Sequence, residues 1–410
     1  MRRRQLLRKT ALLGASSLVA IGANGWAWRS QAQTVRTSMP RLVVVMLRGG
    51  VDGLNVVVPY QDPAYYEARP TIAMARPGEP NGVLDLDGQF GLHPELEPLM
   101  AEWQAGNLAF VQASGSPDPS RSHFQAQDYL ETGTPGESST STGWLNRLLA
   151  YLPNDITPTT ALNMGSGGTL PLIFSGPQTV ANLKLTDQGS PLLAIDRPKL
   201  QEAFDQMYSG ESRVSRVYQS GRTARDILLR EVNYEDREAS RGAPTPTRFA
   251  RSTRRLAQLM KSDANTQVAF MELGGWDSHV GERGILRRYL SLVGAGLATL
   301  AEDLGPIYQD TVVVVMSEFG RTVLENGNGG TDHGHGNVMW LMGGGLRGKQ
   351  VYGQWPGLDL SERYESRDLA VTTDYRDVLE SVLRPHFGLD DQAIAQIFPD
   401  YQAQNSLDLL

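Results

Sequence analysis

Nearly continuous runs of apolar residues recur along the chain and alternate with segments whose apolar residues have helical spacing. The runs predict fully buried strands of a parallel sheet over 41–47, 107–111, 266–273, 311–316 and 338–342. Helical spacing predicts helices over 92–104, 125–130, 248–261, 285–304 and 375–387. The alternation predicts a three-layer α/β/α fold with a mostly parallel central sheet.

Two segments break this alternation. Residues 116–141 are rich in Ser, Thr, Gly and Pro, which is typical of an ordered loop around a site. Residues 196–243 mix acidic and basic side chains with few strand signals, so we predict a helical surface insertion there. The remaining length exceeds the usual size of a single small core, and one large α/β domain over 34–410 with this insertion fits best.

The first 33 residues have the composition of an export signal. Arg3-Arg4-Gln5-Leu6-Leu7 resembles the twin-arginine signature, and the apolar stretch 11–23 is too short to span a bilayer. Cleavage is predicted after Ser30-Gln31-Ala32 with Ala27 as an alternative, and an uncleaved membrane anchor stays open. We predict export by the twin-arginine machinery, a periplasmic or extracellular location, and no stable membrane span in the mature chain.

The charge of the chain excludes one class of partner. The formal net charge is −7, and residues 1–33 carry six basic groups and no acids, so the mature chain has −7 − 6 = −13. Nucleic-acid binding needs basic patches, so we expect no nucleic-acid partner. The chain has no cysteine and folds without disulfides.

Acidic and imidazole side chains follow the predicted strands, where parallel sheets bind ligands. Such groups bind zinc, manganese or similar divalent cations, and the candidate ligands are Asp52, Asp277, His279, Glu318, Asp332, His333 and His335. Alternatives stay open. Asp52 and Asp277 also suit tight turns, Glu318 can pair with Arg321 alone, and a loop histidine can simply face solvent.

The start of the helix predicted over 125–130 offers a nucleophile. Ser120 and Ser122 suit either a metal-activated nucleophile or an ordinary N-cap, and from the residues alone the cap is favoured. Arg121 and Arg321 are candidates for holding an anionic oxygen. The role of His123 stays open between ligand, base and packed side chain. No Gly-x-Ser-x-Gly elbow lies in a strand-turn-helix context.

Four motifs together resemble a bacterial family known as domain of unknown function 1501. They are Arg48-Gly-Gly-Val-Asp52-Gly-Leu-Asn, Gly-Gly-Trp-Asp277-Ser-His279, Ser-Glu318-Phe-Gly-Arg321-Thr and Gly-Thr-Asp332-His333-Gly-His335-Gly-Asn337. That family commonly carries twin-arginine signals and is placed in the alkaline phosphatase-like superfamily. The resemblance therefore implies that fold, one or two divalent ions (zinc, manganese or calcium) and an anionic ester substrate.

The resemblance also implies roles for single residues. Asp52 resembles the first-strand aspartate, the nucleophile falls among Ser120 and Ser122, and Asp277 with His279 resembles a central Asp and His. The last histidine of the superfamily resembles His333 or His335. Where an Asp-His pair is usual, this chain has Glu318 and Phe319, and Phe319 cannot bind metal. The sulfatase signature Cys-x-Pro-Ser-Arg is not met, because Pro117 stands at its first position, so formylglycine chemistry is not expected.

Two functions follow as hypotheses. The first is an exported metal-dependent hydrolase of phosphate or sulfate esters, in which the metal activates the nucleophile and offsets charge on the transferring group. The second is a non-catalytic exported protein that binds a metal, a glycan or a partner on the same fold. A serine within about 4 Å of the acid and histidine cluster favours the enzyme.

Overall fold

The computed structural model describes residues 39–152, 156–164, 170–183, 198–223 and 248–410. Its strands are β1 (Arg41–Arg48), β2 (Val57–Val58), β3 (Leu84–Asp85), β4 (Gly91–Leu92), β5 (Leu108–Gly115), β6 (Ala161–Asn163), β7 (Ala181–Asn182), β8 (Val268–Gly274), β9 (Thr311–Met316), β10 (Asn337–Met342), β11 (Gln350–Tyr352) and β12 (Thr373–Asp374).

Helices lie over all five segments that were predicted to be helical, and the described residues contain further α-helices as well. The α-helices are α1 (Gly53–Val56), α2 (Pro63–Ala68), α3 (Met100–Ala105), α4 (His123–Thr132), α5 (Trp144–Leu149), α6 (Pro198–Met207), α7 (Arg248–Ser262), α8 (Glu282–Leu304), α9 (Tyr375–Phe387) and α10 (Asp391–Ile397). Among the residues that the structure describes, 3-10 helices cover Pro94–Leu99, Leu172–Phe174 and Gly305–Asp310.

The main sheet has the order β11-β5-β10-β9-β1-β8-β6-β7, with β12 beside β5. All of its pairings are parallel except those of β10, which is antiparallel to both β5 and β9. The mostly parallel sheet predicted from the sequence is therefore confirmed. A separate small sheet has the order β2-β4-β3.

Strand β1 shows why its sequence lacks polar alternation. It pairs with β8 on one side and β9 on the other, so Val44 lies between Phe270 and Val314. One face of β1 points Val43 into a core with α7 and α8, and the other points Val44 into a core with α5 and α9. A strand buried on both faces needs apolar residues at nearly every position.

The direction of β10 decides where the candidate site forms. Its first residue, Asn337, pairs with Ser114 near the end of β5. Because β10 runs against its neighbours, the loop that precedes it lies at the same edge as the segments that follow β1, β5, β8 and β9. The sequence predicts β10 and the loop before it, and the structure shows that β10 runs antiparallel to its neighbours.

Apart from α9, the predicted helices differ from the structure in detail, and two of them show how. The one predicted over 92–104 is split into a 3-10 helix over Pro94–Leu99 and α3, because Pro98 lies inside it and has no N–H to donate. Helix α8 begins at Glu282, three residues before the prediction. Glu282–Asp310 is long and apolar enough to span a membrane by length and composition alone, yet Leu290 and Leu297 are buried in the core.

Part of the predicted insertion is described. Helix α6 and a second helical stretch over 213–223 lie within it, joined by contacts between the rings of Phe204, Tyr208 and Tyr218. Residues 196–197 and 224–243, like the predicted signal peptide over 1–33, lie outside the described residues. The extent of the insertion and the signal peptide therefore stay predictions.

Candidate metal centre

Four side chains from three segments meet at the carboxyl edge of the sheet. The Nε2 atom of His333 lies 3.0 Å from Nε2 of His123, 3.0 Å from Nε2 of His279 and 3.2 Å from Oδ1 of Asp277. The same carboxylate oxygen lies 3.1 Å from His279 and 3.6 Å from His123. Donor atoms of His123, Asp277 and His333 all fall within 4.8 Å of one another, close enough to hold a metal ion.

The other ring nitrogen of each histidine is fixed by an oxygen. The acceptors are Glu318 Oε1 at 2.8 Å for His123, Asp332 Oδ1 at 3.0 Å for His279 and the Arg121 backbone oxygen at 2.9 Å for His333. Burial opposes ionisation of Glu318, but hydrogen bonds from His123 and Gln127 lower its pKa. The hydrogen bond from His279 lowers the pKa of Asp332. The three Nδ1 atoms therefore carry the protons in the neutral rings.

This tautomer leaves three Nε2 lone pairs and a carboxylate oxygen facing one another. Such a group repels itself unless a cation or extra protons lie between its members. Zinc ligands at about 2.0–2.1 Å from a tetrahedral ion lie roughly 3.3 Å apart. The separations that involve His333 or Asp277, from 3.0 to 3.6 Å, bracket that value. Oxygen partners on the far nitrogens are also typical of metal-bound histidines. The residues therefore fit a divalent metal ion.

Each member owes its place to local sequence. His123 opens α4, Asp277 and His279 follow β8, and His333 lies in the loop before β10. Gly330 and Gly334 let that loop pass closely over its neighbours, since an added Cβ would lie 2.3 Å from the Ser278 oxygen and 2.4 Å from the Arg321 backbone. Phe319 lies beneath the cluster, with its ring 4.8 Å from that of His123 and 5.0 Å from that of His333.

Arg321 orients Asp277 and does not face solvent. Its guanidinium donates to Asp277 Oδ1 at 2.6 Å, and its other acceptors are the backbone oxygens of Gly49, Gly50, Trp276 and Thr331. The side chain is fully buried. Burial opposes ionisation of Asp277, but the bond from Arg321 lowers its pKa. The geometry does not support the predicted role of Arg321 as an anion clamp, because the buried guanidinium donates from all three of its nitrogens to acceptors within the protein.

Arg121 also points to acids of the protein. Its guanidinium donates to Asp368 at 2.6 Å and to Glu365 at 2.7 Å. Its backbone oxygen, not its side chain, contacts the cluster through His333. The predicted role of Arg121 in anion binding therefore stays a prediction that these contacts do not favour.

The structure does not bring Asp52 to the cluster, which corrects its assignment as a metal ligand. Asp52 and Arg69 form a bidentate ion pair at 2.5 and 3.0 Å, and both side chains are fully buried. Arg69 also binds the backbone oxygens of Thr322 and Val323. Burial opposes ionisation of Asp52, but Arg69 lowers its pKa. Both carboxylate oxygens of Asp52 thus bind the guanidinium of Arg69 rather than a metal ion in the cluster.

His335 and Glu318 also lie elsewhere than predicted. His335 is buried, its Nε2 lies 2.8 Å from the Ser116 backbone oxygen and its ring packs on Tyr364, so it is not a ligand of this cluster. Glu318 accepts bonds from His123, Gln127 and the Gly49 amide. Asp332 similarly supports His279. Both acids therefore act behind the histidines rather than beside a shared ion.

Ser120 and Ser122 differ in their surroundings. The Ser120 hydroxyl donates to Gln125, and its oxygen accepts the Ser122 amide. Ser122 is the N-cap of α4, which confirms the predicted helix start, but its side chain makes no cap hydrogen bond. The two residues that flank Ser122 both contact His333, so Ser122 is held beside the cluster.

Glu282, a buried acid below the site, was not predicted from the sequence. It accepts hydrogen bonds from Ser278, from Thr331 and, at 2.9 Å, from Asn55. Burial and the nearby Asp52 carboxylate raise the pKa of Glu282 to about 8. Sequence alone gives no signal for this, because a Glu in the first turn of a helix is normally a solvated residue that suits the helix dipole.

Fold and site together define a three-layer α/β protein with a cluster of histidines and an aspartate that fits a divalent metal ion. Residues 39–398 match the family described as protein of unknown function (DUF1501), and the chain belongs to that family, as predicted. No curated protein sequence matches the chain.

Several solved structures are similar at low identity. A protein in the alkaline phosphatase superfamily from Vibrio parahaemolyticus is 11% identical, with 85% of this chain and 67% of that chain covered and a TM-score of 0.38. The zinc complex of the C-terminal periplasmic domain of EcEptC from Escherichia coli is 11% identical, with 90% and 88% covered and a TM-score of 0.36. Phosphonate monoester hydrolase of Agrobacterium radiobacter is 10% identical, with 86% and 74% covered and a TM-score of 0.35. These values are too low to carry an argument about activity.

Proposed function

We propose that the chain is an exported metal-dependent hydrolase of phosphate or sulfate esters. The observation that supports this most directly is the convergence of three histidine Nε2 atoms, each on a ring whose Nδ1 bonds an oxygen, with a carboxylate oxygen that Arg321 holds. The ion would be held by His123, Asp277 and His333, with His279 contacting the last two. Bound there, a divalent cation would polarise an ester oxygen and lower the pKa of a hydroxyl beside it.

The protein groups around this position have separable roles. Glu318 and Asp332 hold His123 and His279 in the tautomer that presents Nε2. Arg321 fixes the oxygen of Asp277 and keeps it ionised. These three residues therefore orient the ligands, and none of them needs to touch the substrate.

We assign Ser122 rather than Ser120 as the nucleophile. Its hydroxyl makes no bond to the helix it caps, whereas the Ser120 hydroxyl is used by Gln125. Ser122 also lies between two residues that contact His333. The start of α4 adds the positive end of a helix dipole on the side where an ester anion would approach.

The experiment measures metal content and turnover separately. The mature protein, purified without chelators, should contain one or two equivalents of zinc, manganese or calcium, and D277A should lose them. S122A should keep the metal but lose hydrolysis of aryl phosphates or sulfates, while the matched variant S120A keeps both. Loss of neither property in S122A would overturn the assignment of the nucleophile.

A second candidate is a non-catalytic metal-binding protein. The observation that favours it is that Arg121 and Arg321 are both paired within the protein. A metal-loaded protein that hydrolyses neither phosphate nor sulfate esters would support this candidate over the hydrolase. Failure to bind any of the three metals, even after their addition, would overturn both.

We also propose export through the twin-arginine machinery. The support is the segment Arg3-Arg4-Gln5-Leu6-Leu7 and the apolar stretch behind it. Replacement of Arg3 and Arg4 by lysine should keep the full chain in the cytoplasm, as measured by cell fractionation. Unchanged export of that variant would refute the route.

A further inference from the structure

Two exposed apolar side chains directly follow two histidines of the cluster. Phe124 follows His123 and is 85% exposed, and Val280 follows His279 and is 64% exposed. A single exposed apolar side chain is ordinary, whereas several around one site mark a surface that binds something. Their position next to the candidate ligands is therefore informative.

The cluster geometry fixes where these side chains stand. The Nε2 atoms of His123 and His279 each lie 3.0 Å from that of His333, so Phe124 and Val280 each directly adjoin a residue whose ring nitrogen faces the ion position. The bond to Glu318 fixes the His123 ring in the cluster. Successive residues of a helix point about 100° apart, which turns Phe124 away from the ion position and into solvent at its edge.

A third apolar side chain lies on the segment after Arg321. Leu324 is 50% exposed, and its backbone oxygen accepts from the Thr322 hydroxyl. Two residues later, the Asn326 amide donates to the backbone oxygen of His279 at 2.9 Å. This bond ties the segment of Leu324 to the loop that carries Val280. Phe124, Val280 and Leu324 are together called the apolar rim.

We propose that the apolar rim binds the non-polar group of an aryl or alkyl ester whose anionic end reaches the metal cluster. The inference rests on the proposed function and names its substrate class. A cation position bordered by exposed aromatic and aliphatic side chains is complementary to a molecule with one charged end and one apolar end. Contact with the aromatic ring of Phe124 removes apolar surface of both molecules from water.

The test uses two non-hydrolysable probes with the same charged group. Phenylphosphonate and methylphosphonate are titrated into the zinc-loaded mature protein by calorimetry. Phenylphosphonate should bind about tenfold more tightly, since burying a ring against the apolar rim adds apolar contact that methyl lacks. F124A should weaken phenylphosphonate about tenfold and leave methylphosphonate and zinc content unchanged.

A matched control removes an equally exposed apolar side chain elsewhere. Met207 on α6 is 68% exposed, and M207A should change neither affinity. Equal affinities of the two probes for the wild type, or an F124A variant that loses neither, would overturn the apolar rim while leaving the hydrolase intact. Zinc-loaded protein that binds neither phosphonate would instead overturn the proposed function on which the inference rests.

Discussion

The buried carboxyl of Glu282 gives the sharpest quantitative prediction. Its side chain is fully buried and joins Ser278, between two metal-site residues, to Thr331 in the loop before β10. Burial and the Asp52 carboxylate raise its pKa to about 8 in the folded protein, against 4.5 for an unperturbed Glu. At neutral pH the folded protein therefore holds a proton on Glu282 that the unfolded chain releases.

The sign of the pH dependence follows from linkage. Because the folded pKa is raised, the stabilising contribution is fully present below the unfolded pKa and is lost as pH rises through the folded pKa. Glutamine resembles the protonated acid and does not titrate. Between pH 5.5 and 7.5 the free energy of unfolding of E282Q should therefore rise relative to wild type by about 2–3 kcal/mol.

The assay is urea unfolding of both proteins at pH 5.5, 6.5 and 7.5 with a chelator present. Groups that both proteins share cancel in the difference, and Asp52 stays ionised throughout because its pKa is lowered. Glu302, exposed on α8, supplies the control variant E302Q, whose difference from wild type should stay flat. A difference for E282Q that is constant to within about 0.5 kcal/mol would refute a protonated Glu282.

Three further predictions concern the same edge of the sheet. E318Q should weaken zinc binding about 10- to 100-fold, because it disturbs the hydrogen-bond partner of His123. Chelator competition measures the zinc affinity, and an unchanged affinity would contradict the role of Glu318 in orienting His123. R69M should lower the free energy of unfolding by about 3–5 kcal/mol, because it leaves Asp52 charged and unpaired. The double variant R69M/D52N should recover part of this loss. A loss below about 1 kcal/mol in R69M would show that the ion pair is not buried in solution. Zinc affinity should fall at least about tenfold from pH 7.5 to 5.5 as protons compete for Nε2. Competition begins at His123, because the hydrogen bond to Glu318 raises its pKa. A zinc affinity that does not change with pH would argue against histidine ligands.

The sequence was sufficient for the layers of the fold. A strand such as β1 is buried on both faces, so its apolar run is a local signal, and α9 was predicted at its observed bounds because its apolar stripe is local too. Glycine-bounded acids and histidines at strand ends also pointed to Asp277, His279 and His333, because a loop that serves a site at a strand end needs such residues.

Only the tertiary structure decided which polar side chains meet. Asp52 and His335 carry the same sequence signal as the cluster members. In the structure, however, Asp52 forms an ion pair with Arg69, and His335 bonds the Ser116 backbone oxygen. The sequence could not decide whether His123 is a ligand, a base or a packed side chain, because its partner Glu318 is 195 residues away. Nothing in the local sequence marked Glu282, and its burial in the folded protein raises its pKa to about 8, so it holds a proton at neutral pH. Ligand identity depends on long-range packing and desolvation, which no local pattern contains.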